Sequence, residues 1–243
     1  MDAANPSSAA TTMARQDPLH ELLFDYNRRL PGAQQASTIP QTYCDSMTVR
    51  EHVFVYEQKA VPIKHHTDAD DARSYHWVLY ASTSECIGTI RLIPFPHYYG
   101  FAEPGASYNA PSDDVPAEDS RIVFGAPLPK YVPLQPTSLY NGIEPFVKLG
   151  RLSVIRQFRG HQYADLLIGA ALDWAKANPD KVGPRGDLPR WEGLVFITAQ
   201  VGALKTWQRN GFVTDEKMGF WYEAGMKHVG MWKRLALQAR QLE

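Results

Sequence analysis

Cysteine is scarce in this sequence: Cys44 and Cys86 are the only 2 in 243 residues. They have no metal-type spacing and cannot frame a disulfide scaffold, so a stapled secreted module is excluded and a reducing compartment is indicated. Apolar runs are short, and none approaches the roughly 20 residues of a membrane-spanning helix. No secretory hydrophobic segment opens the chain. The expected location is therefore the cytoplasm, with the nucleus as the alternative, and no membrane partner. A surplus of one charge sign is also missing. The formal net charge is −1 and neither half is strongly basic, which excludes a general nucleic-acid binder. Internal repeats are absent. Residues 65–71 hold His65, His66 and Asp68, but neighbours on one loop make a poor closed metal site, so no metal is expected.

What is present is ordinary for a soluble globular chain: 44% hydrophobic and 21% charged residues, enough for a sizeable core. Aromatic residues make up 12%, with 6 Trp and 12 Tyr, and suit a concave site lined by rings. Residues 1–17 read as a disordered tail. Residues 18–243 read as a single domain with an N-terminal extension over 18–35. Residues 18–30 suggest a short helix, residues 37–44 an extended stretch, and Asp45 or Ser46 a helix cap, with Val49, Val53 and Tyr56 facing the core. Strands follow at Tyr75–Ala81 and Cys86–Pro94, joined by a hairpin turn. Residues 95–145 are rich in Pro, Gly, Ser, Asp and Tyr and keep no period. They read as an insertion over a pocket, with Tyr98, Tyr99, Phe101, Tyr108, Tyr131 and Tyr140 shaping specificity.

The most informative stretch is Val147–Trp174, VKLGRLSVIRQFRGHQYADLLIGAALDW. It reads as a strand, a basic turn over Arg156–Gly160, and an amphipathic helix. Tyr163, Leu166, Leu167, Ala170, Ala171 and Trp174 share one face of that helix. A helix N-terminus offers free N–H groups and the positive end of its dipole, and Arg156 and Arg159 add charge, so a phosphate or pyrophosphate fits there. Beyond it come an irregular segment at 178–190, a strand at Leu194–Ala199, and a helix over Val201–Asn210 with Gly211 at its C′ position. A strand begins at Phe212, and the last strand covers 228–234. Strands mixed with a few helices imply a mixed α/β sheet around one core.

Five segments in this order resemble the GNAT superfamily of acyl-CoA-dependent N-acyltransferases, in its ElaA-like small-molecule branch. The first is Arg50-x-x-Val53-Phe54-Val55-x-Glu57-Gln58 with Asp68-x-x-Asp71 and His76. The second is Gly88-Thr89-Ile90-Arg91-Leu92-Ile93-Pro94. Lys148–Val154 followed by Arg159-Gly160-His161-Gln162-Tyr163-Ala164 is similar to the acyl-CoA signature Q/R-x-x-G-x-G/A. Ala199-Gln200 through Trp207-Gln208-Arg209-Asn210-Gly211-Phe212 resembles the next signature. Glu223–Met231 resembles the closing strands. The resemblance implies a GNAT fold: a central mixed, mostly antiparallel sheet, splayed at the acyl-CoA site and flanked by helices. The implied activity is acetyl-CoA-dependent N-acetylation of a primary amine on a small molecule, by direct attack in a ternary complex. No cysteine lies near a histidine in a nucleophile pattern, which disfavours an acyl-enzyme.

The resemblance also assigns roles. Leu152, Ser153 and Val154 would run beside the pantetheine, one of their N–H groups facing the thioester oxygen. Arg159, Gly160, His161, Gln162, Tyr163 and Ala164 would hold the pyrophosphate, with Gln200 and Trp207 also beside the cofactor. Glu57 and His228 are the candidate bases. Asp68, Asp71 and Glu223 would attract a cationic acceptor. His76 reads as a core-edge residue, and Arg91 either pairs with a core carboxylate or steers substrate. Two positions depart from the family pattern: Gln162 stands where Gly is usual, and Trp207 where a Tyr serves as acid. A tryptophan donates a hydrogen bond but is no practical acid, and the core is its other natural place. Two competing functions remain. One is an acyl-homoserine-lactone-synthase-like acyltransferase, which shares the implied fold and a similar start. The other is a non-catalytic acyl-CoA-binding regulatory module, to which Gln162 and Trp207 lend support. A homodimer stays open.

Overall fold

The computed structural model describes residues 11–183, 186 and 188–237. In chain order the elements are β1 (Thr12–Gln16), α1 (Gln41–Arg50), β2 (Tyr75–Tyr80), β3 (Cys86–Ile93), β4 (Ser107–Tyr108), α2 (Ser120–Phe124), β5 (Val147–Val154), α3 (Tyr163–Ala177), α4 (Pro179–Val182), β6 (Leu194–Gln200), α5 (Leu204–Arg209), β7 (Val213–Thr214), β8 (Phe220–Glu223) and β9 (Met226–Arg234). All the strands join one mixed sheet in the order β1-β2-β3-β5-β6-β9-β8-β4, with β7 on β9. The pairs are antiparallel except β5–β6 and β4–β8.

Three apolar clusters hold this sheet. On one face α3 buries Leu167, Ile168, Ala171, Leu172 and Ala175 against Ile90, Leu92, Val147, Leu149, Val195 and Ile197. On the other face the insertion brings Tyr140 and Phe101, with Phe146 just after it, onto Phe196, Trp221 and Trp232. Buried Asp215 ties the insertion down by accepting from the N–H groups of Ser138 and Leu139 and from Trp232 Nε1. The third cluster packs Leu19, Leu23 and Tyr26 with α1 and with Val123 and Phe124 of α2.

Several expectations are corrected here. The disorder expected over 1–17 does not hold at Thr12–Gln16, which pair with β2 from Thr12↔Tyr80 to Gln16↔His76 and cover what would otherwise be an open edge. Residues 1–10 lie outside the described residues, as do 184, 185, 187 and 238–243. The helix expected over 18–30 shrinks to a single 3₁₀ turn, His20–Leu23. The stretch 37–44 is not extended, because α1 begins at Gln41 with the carbonyl of Pro40 accepting from Tyr43 and Cys44. Asp45 and Ser46 are therefore mid-helix, where Ser46 bonds Thr89 and Asp45 accepts from Tyr80. From Glu51 to Glu57 the helix widens into a π-helix. That shifts the facing, so Val49 and Val53 are buried and Tyr56 is exposed. The buried stripe of α3 is displaced by about one position: Leu166 is 49% exposed, and Ile168, Leu172 and Ala175 take its place.

The C-terminal half follows local rules closely. At the end of α5, Phe212 N–H donates to Trp207 O and Gly211 N–H to Gln208 O, a Schellman ending with Gly211 at φ 80°. β8 and β9 are joined by Ala224-Gly225, both at positive φ, as a two-residue hairpin requires.

Candidate active site

β5 and β6 pair only through Val147↔Val195, Lys148↔Phe196 and Leu149↔Ile197. Beyond Leu149 the two parallel strands part, although β5 runs to Val154 and β6 to Gln200. On its other side β5 stays paired to β3, with a bulge: Thr89 faces Ser153 while Arg91 faces Gly150, so β5 carries one extra residue. Arg151 sits in that bulge at φ 53°, a left-handed conformation uncommon for a residue with a side chain. The bulge turns β5 away from β6, and among the described residues no strand pairs with β5 beyond Leu149 on that side. A cleft between two splayed strands with unpaired N–H and C=O groups can take an extended amide chain as a missing strand.

At the open end of this cleft lies the basic turn. Arg156–Phe158 form a 3₁₀ turn, and α3 begins at Tyr163. Among the described residues the backbone N–H groups of 160–164 donate to no backbone carbonyl. Gly160 has φ 89°. Gln162 is also left-handed, at φ 61°, and its side chain is exposed and caps nothing. A glycine would adopt that conformation without strain; with glutamine there, the N–H groups of 160–164 are still left without a backbone acceptor among the described residues. His161 is exposed and its ring lies 5.7 Å from that of Tyr163. Ser153 and Val154 are buried in the β5–β3 ladder, and Leu152 and Ala164 are half-buried beside the α3 core.

The π-helix delivers two side chains across the same mouth. Arg159 donates to Glu57 Oε1 at 2.7 Å and Oε2 at 2.8 Å, and through Nε to the carbonyl of Val154 at 2.8 Å. Its hydrogen bonds and charge hold the Glu57 carboxyl below its usual range. Next to it, the amides of Gln58 and Gln200 face each other at 3.3–3.4 Å. The candidate base and the candidate pyrophosphate arginine are thus each other's partners.

Asp68 and Asp71 are placed differently from the expectation. Asp71 is fully buried and accepts from Arg50 at 2.6 Å, from Arg91 at 2.6 Å and from the Asp68 N–H at 2.9 Å. Burial alone would raise its pKa, but Arg50 and Arg91 outweigh it and hold the group well below the carboxylate range. Asp68 accepts from Arg91 at 2.6 Å and from Arg151 at 2.8 Å. Both carboxylates neutralise arginines rather than offering charge to a cationic acceptor. The cluster fixes the acidic loop to β3 and to the bulge of β5, which settles Arg91 as a paired residue. His76 is buried in β2 with Nε2 on the carbonyl of Asp71 at 3.0 Å.

The face of the sheet opposite α3 carries the remaining candidates. Val147 and Leu149 point into the α3-side core, so Lys148 points the other way, its Nζ 5.9 Å from the centre of the Phe196 ring. Gly150 follows on the same face, and a Cβ built there meets nothing within 4 Å. Register places Gln200 opposite His228 and His228 opposite Trp221. His228 is buried, with Nδ1 2.8 Å from the carbonyl of Met226. A carbonyl only accepts, so Nδ1 is the donor of this bond, and in the neutral form of the ring Nε2 is the nitrogen that keeps a lone pair. Glu223 accepts from Trp221 Nε1 at 2.7 Å. Trp207 is a correction: it is 4% exposed, packs on Phe212 at 5.1 Å, and belongs to the core and to the Schellman ending, not to a cofactor surface. Residue-by-residue reading gave no role to Lys148, Gly150, Arg151 or Gln58. The sequence signal for Lys148 was a lone cation between two core residues of a strand; Arg151 had none, because nothing local marks a bulge filled by arginine.

A cavity of about 460 Å³ lies at the other end of β5, under the insertion, lined by Phe95, His97, Tyr98, Tyr131, Tyr140 and Phe146 among others. Among the described residues no cluster of His, Cys, Asp and Glu is placed to hold a metal ion, and no helix is long and apolar enough to cross a membrane.

No protein-family profile matches the chain, and neither does any curated protein. Solved structures do. A putative N-acetyltransferase from Lactobacillus plantarum aligns over 93% of this chain and 99% of its own, with a TM-score of 0.53 and 16% identity. An acyl-CoA N-acyltransferase from Pseudomonas aeruginosa aligns over 92% and 99%, with a TM-score of 0.49 and 15% identity. Escherichia coli ElaA aligns over 92% and 100%, with a TM-score of 0.49 and 20% identity. With the L. plantarum alignment covering 93% of this chain and one open mixed sheet flanked by helices, the chain has the fold of the GNAT N-acyltransferases.

Proposed function

We propose that the protein is an acetyl-CoA-dependent N-acetyltransferase acting on a primary amine of a small molecule. The observation that carries this reading is the parting of β5 and β6 beyond Leu149, with the N–H-rich turn at 160–164 and Arg159 at its open end. Pantetheine would enter as the missing strand, and the pyrophosphate would rest on the N–H groups of Gly160–Ala164 and on Arg159. The thioester would then reach the vertex near Gly150, where a backbone N–H of β5 can face its oxygen. The amine attacks from the opposite face. Its nitrogen bonds to the acyl carbon, the carbon–sulfur bond breaks, the amine proton passes to a base and the thiolate takes a proton.

Two groups can serve as base, Glu57 at the end of the π-helix and His228 on β9. Glu57 is a poor acceptor while Arg159 holds it. When Arg159 turns to a pyrophosphate it releases that carboxylate, which favours cofactor binding before acceptor. The lone pair on His228 Nε2 is the other proton sink. No tyrosine stands at the position of Trp207, so the thiolate takes its proton from water or from the base.

A thiol-release assay with acetyl-CoA against polyamines, amino acids, amino sugars and arylamines tests the proposal. Acceptor-dependent release of CoA supports it. Tight acetyl-CoA binding with no release across the panel would instead establish a non-catalytic acyl-CoA module. Release only from acyl-carrier protein would establish the homoserine-lactone-synthase-like alternative.

A further inference from the structure

Lys148 is the one charged residue at the vertex of the cleft that is left without a charged partner among the described residues. It lies on the last rungs that join β5 to β6, opposite Phe196 and one residue before the pairing ends at Leu149. Its side chain projects onto the acceptor face. The residue is half-buried, and among the described residues its ammonium makes no hydrogen bond or ion pair, only the long approach to the Phe196 ring. Lysine is rarely placed so without a partner, because removing an ammonium from water has to be offset by an anion or by hydrogen bonds.

The carboxylates nearest in effect are already engaged. Asp70 accepts from Arg73 at 2.8 Å, Asp68 from Arg91 and Arg151, and Glu223 from Trp221 Nε1. Asp71 belongs to Arg50 and Arg91. Space is available beside the unmatched charge: Gly150, next on the same face, has nothing within 4 Å of where a side chain would begin. Burial pulls the ammonium's pKa down, in keeping with a cation that lacks its counter-ion.

Resting on the acyltransferase reading above, we propose that Lys148 is the specificity-determining residue of the acceptor site and binds a carboxylate of the acceptor, so that the substrate is an amine bearing a carboxylate, of which an α-amino acid is the simplest. The empty space at Gly150 would hold the amine end near the thioester while the carboxylate sits on Lys148. This replaces the cationic acceptor suggested by the acidic loop, whose carboxylates are matched by arginines.

The test is thiol release from acetyl-CoA with a panel of α-amino acids, each run beside its carboxamide and its decarboxylated amine. The amino acid is expected to exceed both relatives in kcat/KM by at least tenfold. Lys148→Met is expected to raise the acceptor KM at least tenfold and to leave the acetyl-CoA KM unchanged, with Lys148→Arg retaining most of the preference. Equal rates for amino acid and decarboxylated amine overturn this inference and leave the acyltransferase reading standing. No CoA release from any amine overturns both. If Lys148→Met does not fold, the comparison of acceptors in the unaltered protein decides alone.

Discussion

Glu57 and Arg159 meet in a two-pronged ion pair, 2.7 and 2.8 Å, that joins the end of the π-helix to the turn before α3 across the mouth of the cleft. The side chains are 27% and 42% exposed, so the pair adds at most about 1 kcal/mol to folding. Its consequence is positional. Arg159 cannot hold Glu57 and a pyrophosphate in this geometry at once, so filling the proposed cofactor site would change the environment of the candidate base.

Replacing Glu57 by Gln tests that role. The variant is expected to fold with unchanged stability and to lose about a hundredfold in kcat, within the usual range for general-base catalysis. The acid limb of its pH–rate profile should vanish. An unaltered profile removes Glu57 from the chemistry and leaves His228 as the base.

Gly150→Val probes the space at the vertex. A Cβ there meets nothing within 4 Å, so the melting temperature should stay within a degree or two. Activity should fall at least a hundredfold, because the side chain fills the place of the reacting groups. Full activity in a folded variant would move the reaction away from the vertex.

Asp71→Ala examines the arginine cluster. The change strands Arg50 and Arg91, both buried, without their shared carboxylate. Truncating one side of a buried pair typically costs about 3–5 kcal/mol. Urea unfolding should show a loss of that order; a loss below about 1 kcal/mol would mean that water reaches the arginines.

His76 gives a pH dependence. Burial lowers its pKa to about 4, against about 6.5 in an unfolded chain. Between those values the unfolded state binds the proton and the folded state does not, so stability falls as pH falls. From pH 7.0 to 5.5 this one group should remove about 1 kcal/mol. The buried pair Glu51 and His66 also titrates, with Glu51 pushed up by burial to about 7 and His66 pushed down to about 3. Comparison with His76→Gln cancels that contribution. The variant should lose about 1 kcal/mol less over this range; identical slopes would contradict a buried neutral His76.

Legibility followed how local each feature is. The sheet elements were readable because β2, β3 and β6 are largely apolar runs bounded by turns and β5 sets Val147, Leu149 and Leu152 among polar residues just before the basic turn, and the end of α5 was readable because Gly211 must take positive φ. The basic turn before α3 was readable from charge and helix polarity. Features set by distant contacts were not. Thr12–Gln16 become a strand only because β2 offers an edge. Tyr56 turns outward because the helix widens at Glu51, which no local pattern announces. Asp68 and Asp71 looked free because their partners, Arg50, Arg91 and Arg151, lie 20 or so residues or more away in sequence. Lys148 gained meaning only when register put it at the vertex.

The central claim is that the cleft between β5 and β6, with the turn at its mouth, is the acyl-CoA site. Titration of acetyl-CoA by calorimetry into the unaltered protein and into Arg159→Ala tests it most directly. The account predicts binding that weakens at least tenfold in the variant, about 1.4 kcal/mol, with the fold unchanged. Equal affinity in the two proteins would contradict it.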